Sequence, residues 1–351
     1  MIIHMNTHLN PFDKPIAQAN SYTVSKSPSP PVGNQHPLGQ LLDYLQLHDY
    51  RFTTVSPVSH QIVNARPGNA FAKNLTDIFG WNRPFKLESI SPNLFKLMQS
   101  ADMLLKMENG WKSKFRVSTL CMPNQYILGQ QFNFLHSAFP TNSESSVFFG
   151  PDTYRFAHAV DHYLAIPHRL IKRAVDIGTG SGAGLALLAD ALPEAEVLGV
   201  DINLDALYLS RINIQAAGLK NAQCIQSDLL NNVDGDFDLI IANPPYLLDK
   251  LERQYRHGGG QLGSGLSVRI VEVAIERLSA GGTLLLYTGV AIVGGIDAFL
   301  AEVLIKLGLA GFTFTYAEID PDIFGEELQN GAYAIADRIA AVVLTAQKPV
   351  N

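Results

Sequence analysis

The sequence predicts an α/β protein, a doubly wound and mostly parallel sheet of seven strands over residues 148–351, preceded by a smaller α+β module. Three observations point there. After Phe148, short apolar runs alternate regularly with amphipathic stretches. A glycine-rich turn, Gly178 to Gly184, joins the first run to the first such stretch. Before residue 148 this alternation is missing. Strand, crossover and strand in repetition imply parallel strands with helices on both faces.

Three segments follow in order. Residues 1–36 hold Ser25 to Pro37, a proline, serine and glycine run without periodicity, and are expected to form a mobile leader. Residues 37–147 form the front module. Leu38, Leu41, Leu42 and Leu45 share a helical stripe, and a second amphipathic stretch covers Leu94 to Met107. Lys112, Lys114 and Arg116 alternate with Phe115 and Val117, so one extended strand would carry the cations on one face. A partner strand is expected at Tyr126 to Phe134. Together these suggest a winged-helix-like or small α+β unit that recognises substrate and could contact nucleic acid through the basic face. From residue 148 on, strands are expected at Ala174 to Ile177, Glu196 to Val200, Gln223 to Gln226, Leu239 to Ala242 and Thr283 to Tyr287. Helices are expected at Ala183 to Ala191, Leu204 to Ala217 and Ser267 to Leu278. Phe312 to Ile319 and Arg338 to Ala346 close the chain as an antiparallel pair.

Composition excludes several classes. With 47% hydrophobic and 17% charged residues, the 351-residue chain has the material for a large core and is not globally disordered. Cys121 and Cys224 are the only cysteines, too few for a disulfide framework or a cysteine zinc site, and suit a reducing cytoplasm. The most apolar run, Thr283 to Phe299, is broken by glycines and Asp297 and falls short of the roughly 20 residues a membrane span needs. Met1 to Lys14 lacks the apolar core of a secretory signal. Net charge is −6, with 14 Lys plus Arg against 10 Asp plus Glu in residues 1–170 and 12 against 22 thereafter. That is far from the balance of a dedicated nucleic-acid binder. His158 and His162 lie one helical turn apart around Asp161, but lack a further ligand of fixed position, so no metal is expected. Asp320, Asp322, Glu326 and Glu327 form an acidic insertion, expected to be mostly a solvated face.

Two motifs carry chemistry. Ala174 to Gly184 (AVDIGTGSGAG) is a strand, a glycine turn and a helix start, a backbone that can approach a ligand closely and offers free N–H groups. Dinucleotide-binding folds use similar loops. Asp176 favours instead a cofactor that carries an ammonium and a sulfonium, the alternative being that it caps the loop. Asp201 ends the second strand, where a carboxylate can accept from both ribose hydroxyls. Asp228 follows the third strand and could accept from an adenine amino group or cap a loop. Downstream, Asp238 to Tyr246 (DLIIANPPY) runs a buried strand into two prolines at the sheet's carboxyl edge. The Asn243 side-chain oxygen and the Pro244 carbonyl offer two acceptors to an NH₂ group, and Tyr246 can stack on a planar amide or base. Accepting both protons aims the nitrogen lone pair at a methyl carbon, so positioning dominates catalysis.

On these motifs, and on Phe149-Gly150-Pro151-Asp152-Thr153, residues 148–351 resemble the class I methyltransferases with the small methyltransferase domain, notably release-factor glutamine methyltransferases. The resemblance implies a Rossmann-like fold, S-adenosylmethionine as cofactor, and Asp176, Gly178, Gly180, Asp201 and Asp228 as its contacts. Thr179 and Gly182 of the loop, with Ile202 and Leu229 beside the second and third aspartates, belong to the same set. Phe149, Pro151 and Thr153 would cover the methionine end, where Asn243 also borders the cofactor. Asn243, Pro244, Pro245 and Tyr246 would form the acceptor-amine site. The implied substrate is a protein such as a release factor. Relatives that methylate adenine or rRNA guanine share these motifs, so a nucleobase in RNA or DNA stays open, as does a non-catalytic cofactor-binding module. The chain departs from the family after the corner, where it carries Arg256-His257-Gly258-Gly259-Gly260 and further glycines to Gly265, a candidate lid or a passive connection.

Overall fold

The computed structural model describes residues 36–121, 131–139, 141, 143–249, 255–329 and 331–350. The leader expected over 1–36 therefore lies outside the described residues up to residue 35.

The front segment begins with α1 (Pro37–Leu47) and α2 (Pro57–Asn64), each with proline in its first turn, where its missing N–H costs nothing, and a side-chain cap from His36 or Ser56. α3 (Pro92–Ser100) is capped by Ser91. The helix expected to run on to Met107 stops here. Asp102 adopts φ 49, the Met103 amide bonds back to the Met98 carbonyl at 3.1 Å, and the chain turns into β1 (Leu104–Met107). β1 pairs antiparallel with β2 (Gly110–Ser113). β3 (Phe115–Cys121) pairs antiparallel with β4 (Gln131–Ser137), from Phe115 opposite Ser137 to Cys121 opposite Gln131. The strand expected at Tyr126 to Phe134 is present from Gln131 and runs on to Ser137, and residues 126–130 lie outside the described residues.

The break between β2 and β3 undoes the expected basic face. Lys112 belongs to β2 and is half-buried, Lys114 sits in the break and pairs with Asp102 at 2.9 Å, and Arg116 belongs to β3 and is only 5% exposed.

The second segment follows its sequence pattern closely. α4 (Pro151–Ala165) leads to β5 (Arg173–Ile177), α5 (Ala183–Ala191), β6 (Glu196–Asp201), α6 (Leu204–Ala216), β7 (Ala222–Gln226) and β8 (Phe237–Ala242). Then come α7 (Gly265–Arg277), β9 (Leu278–Val293), β10 (Ile296–Asp297), α8 (Ala298–Leu309), β11 (Thr313–Asp320) and β12 (Arg338–Gln347). The sheet order is β11-β12-β9-β8-β5-β6-β7, with β10 folded back on β9. The pairs from β9 to β7 are parallel; β12 pairs antiparallel with β11, as the sequence predicts, and also with β9. β9 is much longer than its expected Thr283 to Tyr287, because β12 pairs with it from Gln347 to Arg338.

Chain order runs β5, β6, β7 one way and then returns to place β8 on the other side of β5. The loops leaving the carboxyl ends of β5 and β8 diverge there, the place where open α/β sheets hold ligands. Among the described residues no helix is long and apolar enough to cross a membrane.

Candidate active site

β5 delivers its chain into the glycine turn. Gly178 and Gly180 adopt φ 72 and 55, a left-handed backbone that only glycine enters cheaply, and a Cβ built on Gly178 would meet nothing within 4 Å. Their role is conformational, leaving open space above the turn. Gly182, at φ 86, opens α5 and packs against Ser210, so it shapes the loop without lining the cleft.

Asp176 is buried behind this turn. It accepts from Thr179 Oγ1 at 2.8 Å and from the Leu185 amide at 2.9 Å, so it does cap the loop and the helix start, and it also lines the cleft. Burial outweighs those two bonds and pushes its carboxyl up to about 7. Asp201 accepts from the Gly180 and Asn203 amides, each at 2.9 Å, and burial raises its carboxyl as well. Asp228 is exposed, with a long 3.4 Å contact to Arg269. Thr179, Ile202, Leu229 and Thr153 line the same cleft. A glycine turn with open space over it, and three carboxylates spaced along successive strand ends, fit an adenosyl amino acid.

Phe149 and Pro151 do not sit with that set. They line a second, adjoining cavity, while Phe148 lines both. α4 starts at Pro151, and its first turn carries Thr153 to the cleft side, whereas Phe149 stacks on His136 at 5.3 Å.

Between the two cavities stands the corner after β8. Asn243, Pro244 and Pro245 line both, and Tyr246 lines the second. Among the described residues the Asn243 side chain makes no hydrogen bond, whereas Tyr246 is locked. Its hydroxyl donates to Asp152 Oδ2 at 2.5 Å, and Tyr287 donates to Asp152 Oδ1 at 2.7 Å, with Arg155 3.0 Å from that oxygen. Burial and the Asp152 carboxylate push both phenols far above their ordinary range, so both remain donors. Bonds of this charge-assisted kind contribute about 1.5–3 kcal/mol each.

The glycine stretch after the corner is a buttress. Gly258 donates to the Leu247 carbonyl at 2.8 Å, and a Cβ there would lie 2.7 Å from the Pro245 carbonyl oxygen. A Cβ on Gly263 would lie 2.1 Å from the Tyr246 carbonyl oxygen, and one on Gly289 of β9 would lie 2.3 Å from the Tyr246 ring. Arg256 pairs with Asp249 and Glu327, and Asp320 with Arg155, so the acidic insertion is partly drawn into ion pairs. Asp152 belongs to the Phe149 to Thr153 motif, but Tyr287 and Gly289 carry no local signal. Among the described residues no three His, Cys, Asp or Glu groups are placed to hold a metal.

The second cavity reaches into the front segment, to Thr54, His60, Arg116, His136 and Phe139. Burial lowers His60 to about 4 and His136 well below its usual range, with Arg116 adding to both, so both rings are neutral near pH 7.

Residues 163–292 match the family described as Methyltransferase small domain. The chain is 35% identical over 131 residues to a ribosomal protein uL3 glutamine methyltransferase of Neisseria gonorrhoeae, covering 34% of this chain and 44% of that one. It is 33% identical over 142 residues to a release factor glutamine methyltransferase of Rhodopirellula baltica, covering 36% and 48%. It thus spans less than half the length of these two relatives. A release factor glutamine methyltransferase of Koribacter versatilis is 31% identical over 195 residues, 51% of this chain and 67% of that protein. With the glycine turn, the three aspartates and the Asn243 to Tyr246 corner assembled at one sheet edge, the chain belongs to the class I S-adenosylmethionine-dependent methyltransferases that carry the small methyltransferase domain.

Proposed function

We propose that this protein transfers a methyl group to the side-chain amide nitrogen of a protein glutamine. The observation that supports this best is the corner itself: Asn243, Pro244 and Pro245 form a wall common to a cofactor-shaped cleft and a second cavity. The relatives named for glutamine methylation favour an amide as acceptor. S-adenosylmethionine, when bound, supplies an electrophilic methyl carbon. Asp176, Asp201 and Asp228 would hold it by its ammonium, ribose and adenine.

The protein's own work is alignment. The Asn243 side-chain oxygen and the Pro244 carbonyl accept the two amide protons, which holds the amide plane so that the nitrogen lone pair normal to it faces the cleft. Tyr246, held by Asp152 and Gly289, fixes the acceptor plane. Alignment of this sort accounts for large rate factors without a strong base. The nucleobase alternative drew on a basic face at Lys112, Lys114 and Arg116, and those three side chains occupy separate environments.

Replacing Asn243 with Ala is expected to lower kcat by about 100-fold or more, with a much smaller change in S-adenosylhomocysteine affinity. Methylation assays on release-factor and ribosomal-protein fractions alongside purified rRNA check the acceptor. Label confined to RNA would overturn the glutamine reading.

A further inference from the structure

Among the described residues Arg116 is a buried cation without a counter-ion. It is 5% exposed, and its guanidinium lies 5.5 Å from the Phe52 ring centroid. Nε donates to the Gly80 carbonyl at 2.7 Å and Nη2 to Thr54 Oγ1 at 3.3 Å, and among the described residues no carboxylate pairs with it. The other cation on the cavity wall, Arg256, is taken by Asp249 and Glu327. Burying a charge this way is costly unless a partner arrives.

Its surroundings set its direction. Thr54 Oγ1 accepts from Arg116, so its own proton goes to Ser118 Oγ; Ser118 then donates to His136 Nε2 at 2.7 Å, and His136 Nδ1 donates to the Ser137 carbonyl at 3.1 Å. This chain closes only if His136 is neutral. It holds one end of the guanidinium and leaves Nη1 without a hydrogen bond among the described residues, and Arg116 lines a cavity whose histidines add no charge.

We infer that Arg116 is a carboxylate receptor inside the acceptor cavity, and that the methyl-accepting glutamine is presented next to an acidic residue of the same protein. The second half rests on the glutamine reading, and the first does not. Nη1 is the guanidinium nitrogen left without a hydrogen bond, and one incoming carboxylate would match the charge that no described residue neutralises. A nucleic-acid backbone would instead meet several cations at the surface, and the exposed Glu326 on this cavity wall repels it.

Two arms test this on the full chain. In the first, benzoate binding is followed by calorimetry in the wild type, Arg116→Gln and Arg116→Lys, with S-adenosylhomocysteine affinity as the check on folding. Affinity is expected to fall roughly tenfold or more in Arg116→Gln and less in Arg116→Lys. Equal binding by wild type and Arg116→Gln, or none by the wild type, overturns the receptor. In the second, the wild type methylates glutamine peptides that differ only in a flanking Glu or Gln. KM is expected to be roughly tenfold lower for the Glu peptide at similar kcat, and this preference is expected to vanish in Arg116→Gln. Equal KM values in the wild type overturn the acidic neighbour, whether or not the variant folds. If no peptide is methylated yet benzoate binds through Arg116, the receptor stands and the glutamine reading falls. Arg116-dependent displacement of benzoate by an RNA fragment, with peptides inert, overturns the protein carboxylate.

Discussion

Buried behind the glycine turn, the Asp176 carboxyl is held at about 7, against about 4 in an unfolded chain. Between those values the folded state binds more protons than the unfolded one, so this group's contribution to stability is complete below pH 4 and is lost as pH rises through 7, a change of about 4 kcal/mol. A cationic ligand needs the ionised form and reverses the preference. S-adenosylmethionine affinity is therefore expected to rise from pH 6 to 8, and Asp176→Asn is expected to abolish that slope while raising stability at pH 8. Calorimetric titrations and denaturation at both pH values check the pair. Sequence placed Asp176 at the end of β5 and left cofactor binding and capping open; two hydrogen bonds give it the capping role.

The corner after β8 is made rigid by other elements. Gly289 of β9 gives the Tyr246 ring its seat, and the 258–263 glycines press backbone to backbone against it. A methyl group at 289 has nowhere to go, since the ring it meets is bonded at its far end to Asp152. Gly289→Ala is expected to cost about 1–3 kcal/mol by overpacking and to reduce methyl transfer out of proportion to that loss. Gly308→Ala, in α8 with open space around it, is the contrasting case, expected to stabilise by about 0.5–1 kcal/mol with activity unchanged. Urea denaturation and steady-state kinetics separate the two outcomes.

Across the whole molecule the front segment is sealed to the sheet by shared cores. Ala206, Leu209 and Ile212 of α6 pack with α1, α3 and the front strands, while Leu120, Phe132 and Phe134 of β3 and β4 join the core around α4 and α5. The second cavity draws its wall from both sides of this seam. Leu209→Ala is expected to lower stability by about 2–5 kcal/mol. It is also expected to raise the acceptor KM more than the cofactor Kd, as measured by thermal denaturation and initial-rate kinetics. Local pattern was enough to establish the parallel sheet, the helix limits from Ala183 to Ala191, the antiparallel end and the placement of Asp176, Asp201, Asp228 and Asn243 at strand ends. Those features follow from backbone period, turn chemistry and proline geometry, each readable within a few residues. Pattern failed where the partner is distant in sequence. Arg116 reads as one of three alternating cations, yet a strand break and 62 residues of separation from Thr54 decide that it is buried. Asp152 binds tyrosines 94 and 135 residues away. Gly289 owes its identity to the Tyr246 ring, which belongs to the corner after β8. Sequence by itself thus determined the parallel sheet and the motif residues at its strand ends, and tertiary structure alone decided which groups join them and which are caged, paired or left charged, because burial and pairing depend on neighbours that only the folded chain brings together.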